Sequence, residues 1–594
     1  MDLVQIRYLQ DKIDKLPKGN ITYKTINGKK YPYHQWRENG KQKSCIVKES
    51  ELAQLIKDIA TRKKIENQLK KLAVSQQTTI EEEYFSLIKC DDELLAFVNP
   101  TRLLKKRHCF SELRDYVYGD SIDKVFVLYG LRRTGKTTLI RQIICDMPKE
   151  MQSKTAYLQI TSSIDLEKIN LDLRKLSRQG YKYIFIDEVT LMEDFIEHAA
   201  LFSDVFASTG MKIVLSGTDS LGFRLTESNE LYDRCFMLHT TFIPYREFEK
   251  VLGVKGIDNY IQYGGTMSTS GKNYNQDNNI FSTVEKTNEY IGTAIAKNIQ
   301  HSLKNYEGGE HFLGLAELYE ENELTNAINR VVEDINHRFT IEVLTKEFKS
   351  GDLSISSKNM LKDRENPSDI LLQINKDDIT EKLRKTLEIK NQDEQKIKLQ
   401  DHHIRQIKEY LNMLDLIIDI DVVDINDFNK KTTNIVFSQP GLRYAQAKAL
   451  VEHIMADEIF RNFSLKERNL ATRRILSEVQ GRMMEEIVLL ETKKALPQCK
   501  VFKLKFTIGE FDMVVFNPET ASCKIYEIKH STERVPQQLV HLKDKTKCEQ
   551  TEFRYGDIEG KYLIYRGESC FENGIHYVNV EEYLNSMPDS LNQS

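Results

Sequence analysis

Two separated groups of residues in this chain could do chemistry, and the first has the pattern of a phosphate-binding loop. Residues 130–137 read GLRRTGKT and fit G-x-x-x-x-G-K-[ST]. Glycines in such a loop let successive backbone N–H groups face the phosphates, and the next helix N-terminus adds positive potential. Lys136 can reach the β- and γ-phosphates, and the Thr137 hydroxyl can ligate Mg²⁺. We expect ATP to contact Gly130, Leu131, Arg132, Arg133, Thr134, Gly135, Lys136, Thr137 and Thr138.

Polar residues at the ends of two later apolar runs supply the rest of a nucleotide site. Asp187 and Glu188 end the run YIFIDE. Asp187 can hold the Mg²⁺ shell, and Glu188 can orient or deprotonate the attacking water as a catalytic base. The run KIVLSGT ends in Ser216 and Thr218. We predict that Thr218, with Ser216 as the alternative, contacts the γ-phosphate or the water.

These residues need an α/β sheet to bring them together. An apolar run, residues 125–129, precedes the loop, and an amphipathic helical run follows it. Residues 95–255 alternate short apolar runs with helical patterns, which is typical of a parallel α/β sheet. Ligands bind such sheets at the carboxyl ends of the strands. The sequence therefore predicts that the loop, the two acids and the polar sensor meet at one sheet edge.

The second group lies near the C-terminus and combines carboxylates with a lysine. Glu485 lies on an amphipathic helical run, and Asp512 starts a strand-like run. Glu527 and Lys529 share one face of the next strand because side chains alternate with period two. Such carboxylates can hold one or two Mg²⁺ ions that activate water for attack on a phosphodiester, with Lys529 positioning the water or stabilising charge. The alternatives are a site that has lost catalysis and an ion-pair network.

Composition restricts the class of protein and its partners. The net charge of −4 over 594 residues gives no general attraction for nucleic acid, so any such binding must come from local basic patches. No apolar run approaches the ~20 residues that cross a bilayer, so we expect no membrane partner. The N-terminus has no signal-peptide core. Nine cysteines occur singly, which is typical of reduced thiols in a cytoplasmic protein.

Several stretches resemble AAA+-type ATPases of the archaeal-ATPase-like branch. They are the loop, Asp187-Glu188, LSGTDS at 215–220, Asp233-Arg234, PYREF at 244–248 and YGG at 263–265. The resemblance implies a helical lid over the nucleotide. It also implies that Arg234 is an arginine finger or sensor, in cis or from a neighbouring subunit of a homo-oligomer. A surface salt-bridge arginine is the alternative.

Residues 470–585 resemble a second family, the PD-(D/E)xK nucleases. The matching residues are a helix glutamate, Glu510-Phe-Asp512 and Glu527-Ile-Lys529. The resemblance implies a restriction-endonuclease-like α/β domain in which Asp512, Glu527 and Lys529 are catalytic and Glu485 completes the metal shell.

Two further regions could contact nucleic acid. Residues 21–47 interleave Lys and Arg with aromatic residues in alternating runs joined at two Asn-Gly pairs. This pattern predicts a β-hairpin or meander that either grips nucleic acid or uses its aromatics as a small core. Residues ~370 to ~450 have the order helix, helix, strand, strand, which fits a winged helix that reads DNA or serves as a packing or oligomerisation module.

We therefore predict a multidomain α/β protein with five regions. They are a basic N-terminal region (1–88), a P-loop ATPase core (89–255), a helical lid (256–365), a winged helix (366–465) and a nuclease-like domain (466–594). The expected function is an ATP hydrolase coupled to a Mg²⁺-dependent nuclease acting on DNA, in prokaryotic defence or mobile-element biology. The alternative is a nucleotide-controlled switch or DNA-binding regulator whose nuclease-like domain binds but does not cut.

Overall fold

The computed structural model divides the chain into two compact units, Met1–Tyr84 and Phe85–Ser594. It describes residues 12–13, 16–26, 29–38, 41–77, 84–161, 164–192, 194–219, 222–223, 230–267, 284–296, 299, 303, 312–349, 399–427, 431–456 and 464–588. None of the helices in these ranges is long and apolar enough to cross a membrane.

The first unit is a three-stranded antiparallel sheet followed by a long helix. Its elements are β1 (Asn20–Ile26), β2 (Lys29–Glu38), β3 (Lys41–Ile46) and α1 (Glu49–Gln77). Ile26 pairs with Lys29 and Glu38 pairs with Lys41, so each strand connection spans two residues. The two Asn-Gly pairs themselves lie outside the described residues. On β2, the rings of His34 and Trp36 stack with centroids 4.9 Å apart.

The second unit begins with a six-stranded sheet in the order β4-β6-β7-β8-β5-β9. The strands are β4 (Leu87–Lys89), β5 (Val125–Gly130), β6 (Thr155–Gln159), β7 (Tyr183–Asp187), β8 (Lys212–Gly217) and β9 (Cys235–Thr240). All pairs are parallel except β4 with β6. Every residue of β5 is buried, as expected for a parallel strand covered on both faces. The prediction of a parallel α/β sheet is confirmed.

Six helices within the described residues accompany this sheet. They are α2 (Asp91–Val98), α3 (Phe110–Tyr118), α4 (Lys136–Asp146), α5 (Lys149–Gln152), α6 (Leu166–Arg178) and α7 (Phe195–His198). Helix α4 starts directly after the phosphate loop and buries Leu139, Ile140 and Ile143 at helical spacing. These residues pack against α3 and β5 in one hydrophobic core, which fixes α4 against the sheet.

A helical part follows the sheet. It contains α8 (Tyr245–Leu252), α9 (Ile257–Tyr263), α10 (Val284–Ala294), α11 (Leu313–Glu320), α12 (Leu324–Lys349) and α13 (Asp401–Met413). Helices α10 to α13 share a hydrophobic core that includes Leu131 from the phosphate loop. The predicted border between lid and winged helix, residues 365 and 366, lies outside the described residues.

The C-terminal part is built on an eight-stranded sheet in the order β11-β10-β12-β13-β14-β15-β17-β16. The strands are β10 (Ile417–Asp424), β11 (Lys431–Phe437), β12 (Lys500–Lys505), β13 (Glu510–Asn517), β14 (Ser522–Ile528), β15 (Asp557–Tyr565), β16 (Cys570–Glu572) and β17 (Ile575–Asn579). The helices are α14 (Pro440–Ala456), α15 (Leu465–Ala495), α16 (Val540–Lys543), α17 (Lys545–Tyr555) and α18 (Val580–Asn585).

This sheet differs from the predicted winged helix. The hairpin β10–β11 was assigned to the wing, but β10 pairs in parallel with β12, so the hairpin is one edge of the C-terminal sheet. The reason is burial, because Ile417, Ile418 and Ile420 are all covered by the surrounding structure. The predicted border at 465/466 therefore runs through a continuous sheet.

One hydrophobic core also crosses the other predicted borders. It contains Phe242, Ile257, Ile418 and Met483, which belong to four of the five predicted regions. Burial of this apolar surface stabilises the unit in proportion to the area removed from water, about 25 cal/mol per Å². The two chemical groups are thus carried by one packed body.

Candidate functional site

The phosphate loop follows β5 and runs into the first turn of α4. Gly130 has φ +133°, and a Cβ there would lie 2.3 Å from the Thr240 carbonyl oxygen, so only glycine fits. Gly135 has φ +90°, a conformation that L side chains rarely adopt. Thr134 is buried and donates its hydroxyl to the Leu131 carbonyl at 2.8 Å. The loop is therefore held in one shape by its own backbone and by β9.

Lys136 is buried at the start of α4. Its Nζ donates to the carbonyl oxygens of Gly130 at 2.9 Å and Leu131 at 2.7 Å. Burial lowers the pKa of Lys136 to about 8, and attraction to Glu188 and Asp187 offsets only part of that effect. The loop thus holds a desolvated ammonium group whose charge a phosphate would stabilise.

The acidic strand end lies on the far side of β8 from the loop, because β8 separates β7 from β5. Thr137 Oγ1 donates to Asp187 Oδ2 at 2.7 Å, which joins the loop to the acidic strand. Tyr157 donates to the same oxygen at 2.9 Å. Ser216, at the end of β8, donates its hydroxyl to Asp187 Oδ1. Asp187 is therefore fixed by three side-chain donors.

Glu188 follows Asp187 with φ +61°, in the left-handed region. Burial, followed by the neighbouring Asp187 carboxylate, raises the pKa of Glu188. Thr218 Oγ1 lies 3.4 Å from Glu188 Oε2, so the predicted sensor contacts the predicted base. A buried carboxylate with a raised pKa is better matched to proton abstraction near neutral pH than an ordinary one.

The other predicted loop residues occupy different surroundings. Leu131 is fully buried in the helical core, whereas Arg133 is exposed with φ +63°. Arg132 has a buried Nε that finds no partner among the described residues. Thr138 is half-buried in the first turn of α4. The structure thus brings together Lys136, Thr137, Asp187, Glu188 and Thr218.

A buried ion pair behind the loop was missed by the sequence prediction. Arg107 Nε donates to Glu247 Oε2 at 2.7 Å, and its NH1 donates to the Thr134 carbonyl at 2.7 Å. The His108 backbone N–H donates to Glu247 Oε1 at 2.6 Å. Glu247 lies in the PYREF stretch, so this stretch supports the loop. Separation by 140 positions leaves no periodic signal for the pair.

A second missed support covers the other end of the loop. The Met267 N–H donates to the Arg133 carbonyl at 2.8 Å. A Cβ at Gly135 would lie 2.6 Å from Met267 Sδ. The segment after YGG therefore lies directly against the loop, and the glycine permits that approach.

The structure contradicts a cis role for Arg234. Its carbonyl accepts from the Val125 N–H, so it lies beside the amino end of β5, whereas the loop follows the carboxyl end. The five steps along β5 cover roughly 16 Å. The Arg234 side chain is half-exposed, with Nε 3.4 Å from Asp204 Oδ1 and NH1 donating to the Glu230 carbonyl. These contacts are those of a surface salt-bridge arginine, which was the alternative, and a role in ATP hydrolysis would require a neighbouring subunit's site.

The second chemical group also assembles, at the start of β13. Carboxylate oxygens of Glu485, Glu510 and Asp512 lie within 4.8 Å of one another. Asp512 Oδ2 accepts from the Ile528 N–H at 2.8 Å and from Lys529 Nζ at 2.7 Å. Glu510 had no assigned role, although period two places it on the same face of β13 as Asp512.

Glu527 and Lys529 complete this group, which we call the carboxylate–lysine site. Lys529 Nζ lies 2.8 Å from Glu527 Oε2. Burial would raise the pKa of Asp512, but the ammonium groups of Lys529 and Lys503 hold it at about 2. Burial and the neighbouring Asp512 carboxylate raise the pKa of Glu527 well above its usual value. The two acids therefore have opposite protonation preferences.

Glu485 forms salt bridges with two basic side chains that the sequence prediction did not include. Lys503 Nζ contacts Glu485 Oε1, and Arg482 NH1 donates to both Glu485 oxygens at 2.9 and 2.7 Å. Lys503 is almost fully buried. Because Lys503 lies near the carboxyl end of β12, its proximity to this site could be recognised only after the order of the strands was known.

The carboxylate–lysine site opens into a cavity of about 350 Å³. Glu485, Arg482, Lys529 and Gln538 contribute polar groups to its wall. Phe339 of α12 also lines it. A ligand in this cavity would meet cations and carboxylates together.

Both groups fit divalent metal ions by their donor chemistry. Hydroxyl and carboxylate oxygens are ligands that Mg²⁺ prefers, and Thr137 and Asp187 offer one of each. Glu527 Oε1 is buried and has no hydrogen-bond partner among the described residues, which leaves an oxygen free for a metal or water. The metal residues predicted for the C-terminal site, Glu485, Asp512 and Glu527, thus lie in one region, together with Glu510.

Comparisons with known proteins address the first group. Residues 122–249 match the family described as "AAA domain". The chain therefore carries an AAA-type domain. This match contains the phosphate loop, Asp187-Glu188, Thr218 and Arg234, and it supports ATPase activity. Residues 3–57 match a family described as "Domain of unknown function (DUF6788)".

Other comparisons add little. No curated protein matches the chain in sequence. Among solved structures, it is similar to a Saccharomyces cerevisiae Hsp104:casein complex in an extended conformation, at 15% identity and a TM-score of 0.22, over 27% of this chain and 31% of that one. It is also similar to a closed-state Hsp104 with ATPγS and FITC casein, at 13% identity and a TM-score of 0.20, over 38% and 35% of the two chains. The matches thus span about a third of those structures. Such low TM-scores support no argument about function.

Proposed function

We propose that this chain is an ATP hydrolase whose nucleotide-binding part is coupled to a Mg²⁺-dependent nuclease acting on DNA. The AAA-type domain supports the first half. The second half depends on one observation, the convergence of Glu485, Glu510 and Asp512 beside Lys529. A role in prokaryotic defence or mobile-element biology would suit this combination of activities.

In the proposed ATP site, each described residue has a definite task. The loop N–H groups and Lys136 bind the β- and γ-phosphates, and Thr137 and Asp187 are the residues that would hold Mg²⁺. Bound Mg²⁺ would neutralise charge that develops on the phosphates. Glu188 takes the proton from the attacking water, and Thr218 holds the Glu188 carboxylate in place. Arg234 serves a neighbouring subunit of a homo-oligomer.

In the proposed nuclease site, Asp512, Glu510 and Glu485 would hold the metal, with Glu527 as a further ligand. Bound metal would polarise the scissile phosphate. Lys529 lies within hydrogen-bond distance of two of these carboxylates, so it orients water or stabilises charge on the phosphate. Arg482, on the cavity wall, can bind a neighbouring phosphate of the strand.

The ATP half is tested by binding and hydrolysis. We expect Lys136→Ala to lose nucleotide affinity, because it removes the ammonium group from the loop. Lys149→Ala is the matched control, since Lys149 is an exposed lysine close to the same helix. Equal ATP affinity in the Lys136→Ala protein and the wild type would rule out the phosphate-loop assignment.

The nuclease half is tested by incubating supercoiled and linear DNA, single-stranded DNA and RNA with Mg²⁺ or Mn²⁺, with and without ATP. We expect metal-dependent cleavage of DNA that Asp512→Asn and Lys529→Ala abolish. Asp557→Asn and Lys500→Ala change exposed residues of the same sheet and should cleave like the wild type. Binding of DNA without cleavage under every condition would reject this half.

One observation favours a second candidate, a nucleotide-controlled switch whose C-terminal site binds DNA or a partner without cutting. Lys503, Arg482 and Lys529 already pair with the carboxylates, so the group is also a charge-balanced network. Such a network needs no metal to be stable. Calorimetric titration with Mg²⁺ and Mn²⁺ distinguishes the nuclease from the switch. The nuclease predicts metal binding that is lost in Asp512→Asn, whereas the switch predicts the same metal binding in Asp512→Asn and the wild type.

A further inference from the structure

A three-residue contact joins the helical part after the AAA-type domain to the carboxylate–lysine site. His530 directly follows Lys529, and its Nε2 lies 2.8 Å from Asp258 Oδ1 on α9. Arg566 NH2 donates to the other Asp258 oxygen at 2.6 Å. Arg566 NH1 lies 3.3 Å from His530 Nε2. One carboxylate from α9 therefore holds two basic side chains of the C-terminal sheet.

The backbone of residues 529–531 lies beside this contact and is hydrogen-bonded to residues 564 and 566. The Lys529 N–H donates to the Ile564 carbonyl at 2.9 Å, and the Arg566 N–H donates to the Ser531 carbonyl at 2.9 Å. The His530 side chain is only 9% exposed. Without the Asp258 carboxylate, neither the Arg566 guanidinium nor the His530 ring would keep its contact with α9. Both side chains would then be free to rearrange, together with the backbone next to Lys529.

Helix α9 is in turn attached to the phosphate loop on both sides. Before it, Glu247 on α8 binds Arg107, which donates to the Thr134 carbonyl. After it, the Met267 N–H donates to the Arg133 carbonyl, and the Ile243 N–H donates to the Gly265 carbonyl. The α8–α9 pair is therefore connected at both ends to the loop backbone that a nucleotide would contact.

From these contacts we infer that Asp258 is a positioning residue for Lys529, acting through His530, and that it places the carboxylate–lysine site under the control of the phosphate loop. The inference rests on the proposed nuclease function and names its regulation. Lys529 has to stay within hydrogen-bond distance of Asp512 and Glu527, and a displacement of about 1 Å can lower a rate by roughly 100-fold.

The test uses the full-length chain with Asp258→Asn, Asp258→Glu, His530→Gln and the Asp258→Asn/His530→Gln double variant. Glu249→Gln is the matched control, because Glu249 on α8 also contacts the C-terminal part, through Asn585, away from the site. DNA cleavage is measured with and without a slowly hydrolysed ATP analogue. Nucleotide affinity and hydrogen exchange of residues 528–531 are measured on the same proteins.

We expect Asp258→Asn to lower kcat for cleavage by roughly 10- to 100-fold with little change in KM for DNA or in nucleotide affinity. The ATP analogue should no longer alter cleavage, Asp258→Glu should restore most of the rate, and the double variant should be no worse than either single one. A rate and an ATP response within twofold of the wild type, or additive losses, would overturn the inference.

Failure of the nuclease proposal is distinguishable from failure of this inference. If the wild type cuts no nucleic acid, the proposed function falls, and hydrogen exchange decides the coupling alone. Nucleotide-dependent protection of residues 528–531 in the wild type and in Glu249→Gln, but not in Asp258→Asn, would support the coupling. The same protection in all three proteins, or in none of them, would overturn it.

Discussion

The buried Lys136 predicts a specific pH dependence of ATP binding. With a pKa of about 8, Lys136 is charged in roughly three quarters of molecules at pH 7.5 and in roughly 3% at pH 9.5. Bound phosphates keep the ammonium group charged, because they supply the opposite charge that Glu188 and Asp187 supply only in part. Binding above pH 8 must therefore take up a proton.

The expected loss follows from this protonation. If only the charged form binds, ATP affinity falls about 25-fold between pH 7.5 and 9.5, which is ~2 kcal/mol. The phosphates are fully ionised over this range, because their second pKa is near 6. Calorimetric or fluorescence titration with Mg-ATP at half-unit steps, with circular dichroism to confirm that the fold is intact, measures the curve.

Lys136→Arg is the control for this prediction. A guanidinium stays charged at every pH tested, so this variant should bind more weakly throughout but with a flat profile. A wild-type affinity that is equally flat from pH 7.5 to 9.5 would refute the reasoning. It would mean that Glu188 and the loop carbonyls hold Lys136 fully charged before nucleotide arrives.

Three further predictions concern the AAA-type domain and its supports. Glu188→Gln should keep ATP affinity but lower the rate of ATP hydrolysis by roughly 10²- to 10⁴-fold. As the pH is lowered, the wild-type rate should begin to fall at a higher pH than it would with an ordinary carboxylate, because the Glu188 pKa is raised. Unchanged ATP turnover in Glu188→Gln would exclude Glu188 as the base. Glu247→Gln should reduce the free energy of unfolding by about 3–5 kcal/mol in denaturant titrations, because it leaves the buried Arg107 charge unpaired. Lys106→Ala breaks the exposed Lys106–Asp146 salt bridge and should reduce the free energy of unfolding by less than about 1 kcal/mol. Equal losses in Glu247→Gln and Lys106→Ala would contradict this ranking. Arg234→Ala should lower ATP turnover only under conditions where subunits associate, as measured by light scattering; the same loss in a monomer would exclude the role in trans.

Local patterns were sufficient to predict the phosphate loop and its flanking elements. Residues 125–146 carry the strand, the two glycines and the helix within one short stretch, so each feature depends on close neighbours in sequence. The parallel sheet follows from repeated runs of the same kind. The prediction for Arg234 left open a role in cis or from a neighbouring subunit, although its position just before the apolar run of β9 already indicates the amino edge of the sheet.

Features that depend on partners distant in sequence could not be predicted from the sequence patterns. The hairpin β10–β11 has the same alternating pattern whether it forms a wing or the edge of a larger sheet, and β12, which decides between them, begins at Lys500. The pairs Arg107–Glu247 and Asp258–His530 join positions 140 and 272 apart. Neither a period nor a motif marks such pairs, because only the packed core brings them together.

The strand pairing across residue 465 bears on how this protein can be divided. A fragment that starts at residue 466 would lose β10 and leave one side of β12 with unpaired N–H and C=O groups. An open edge of this kind is a template for other chains. The C-terminal part therefore cannot be separated at residue 466 as an independent domain, and a fusion that transfers it to another protein would have to include the β10–β11 hairpin.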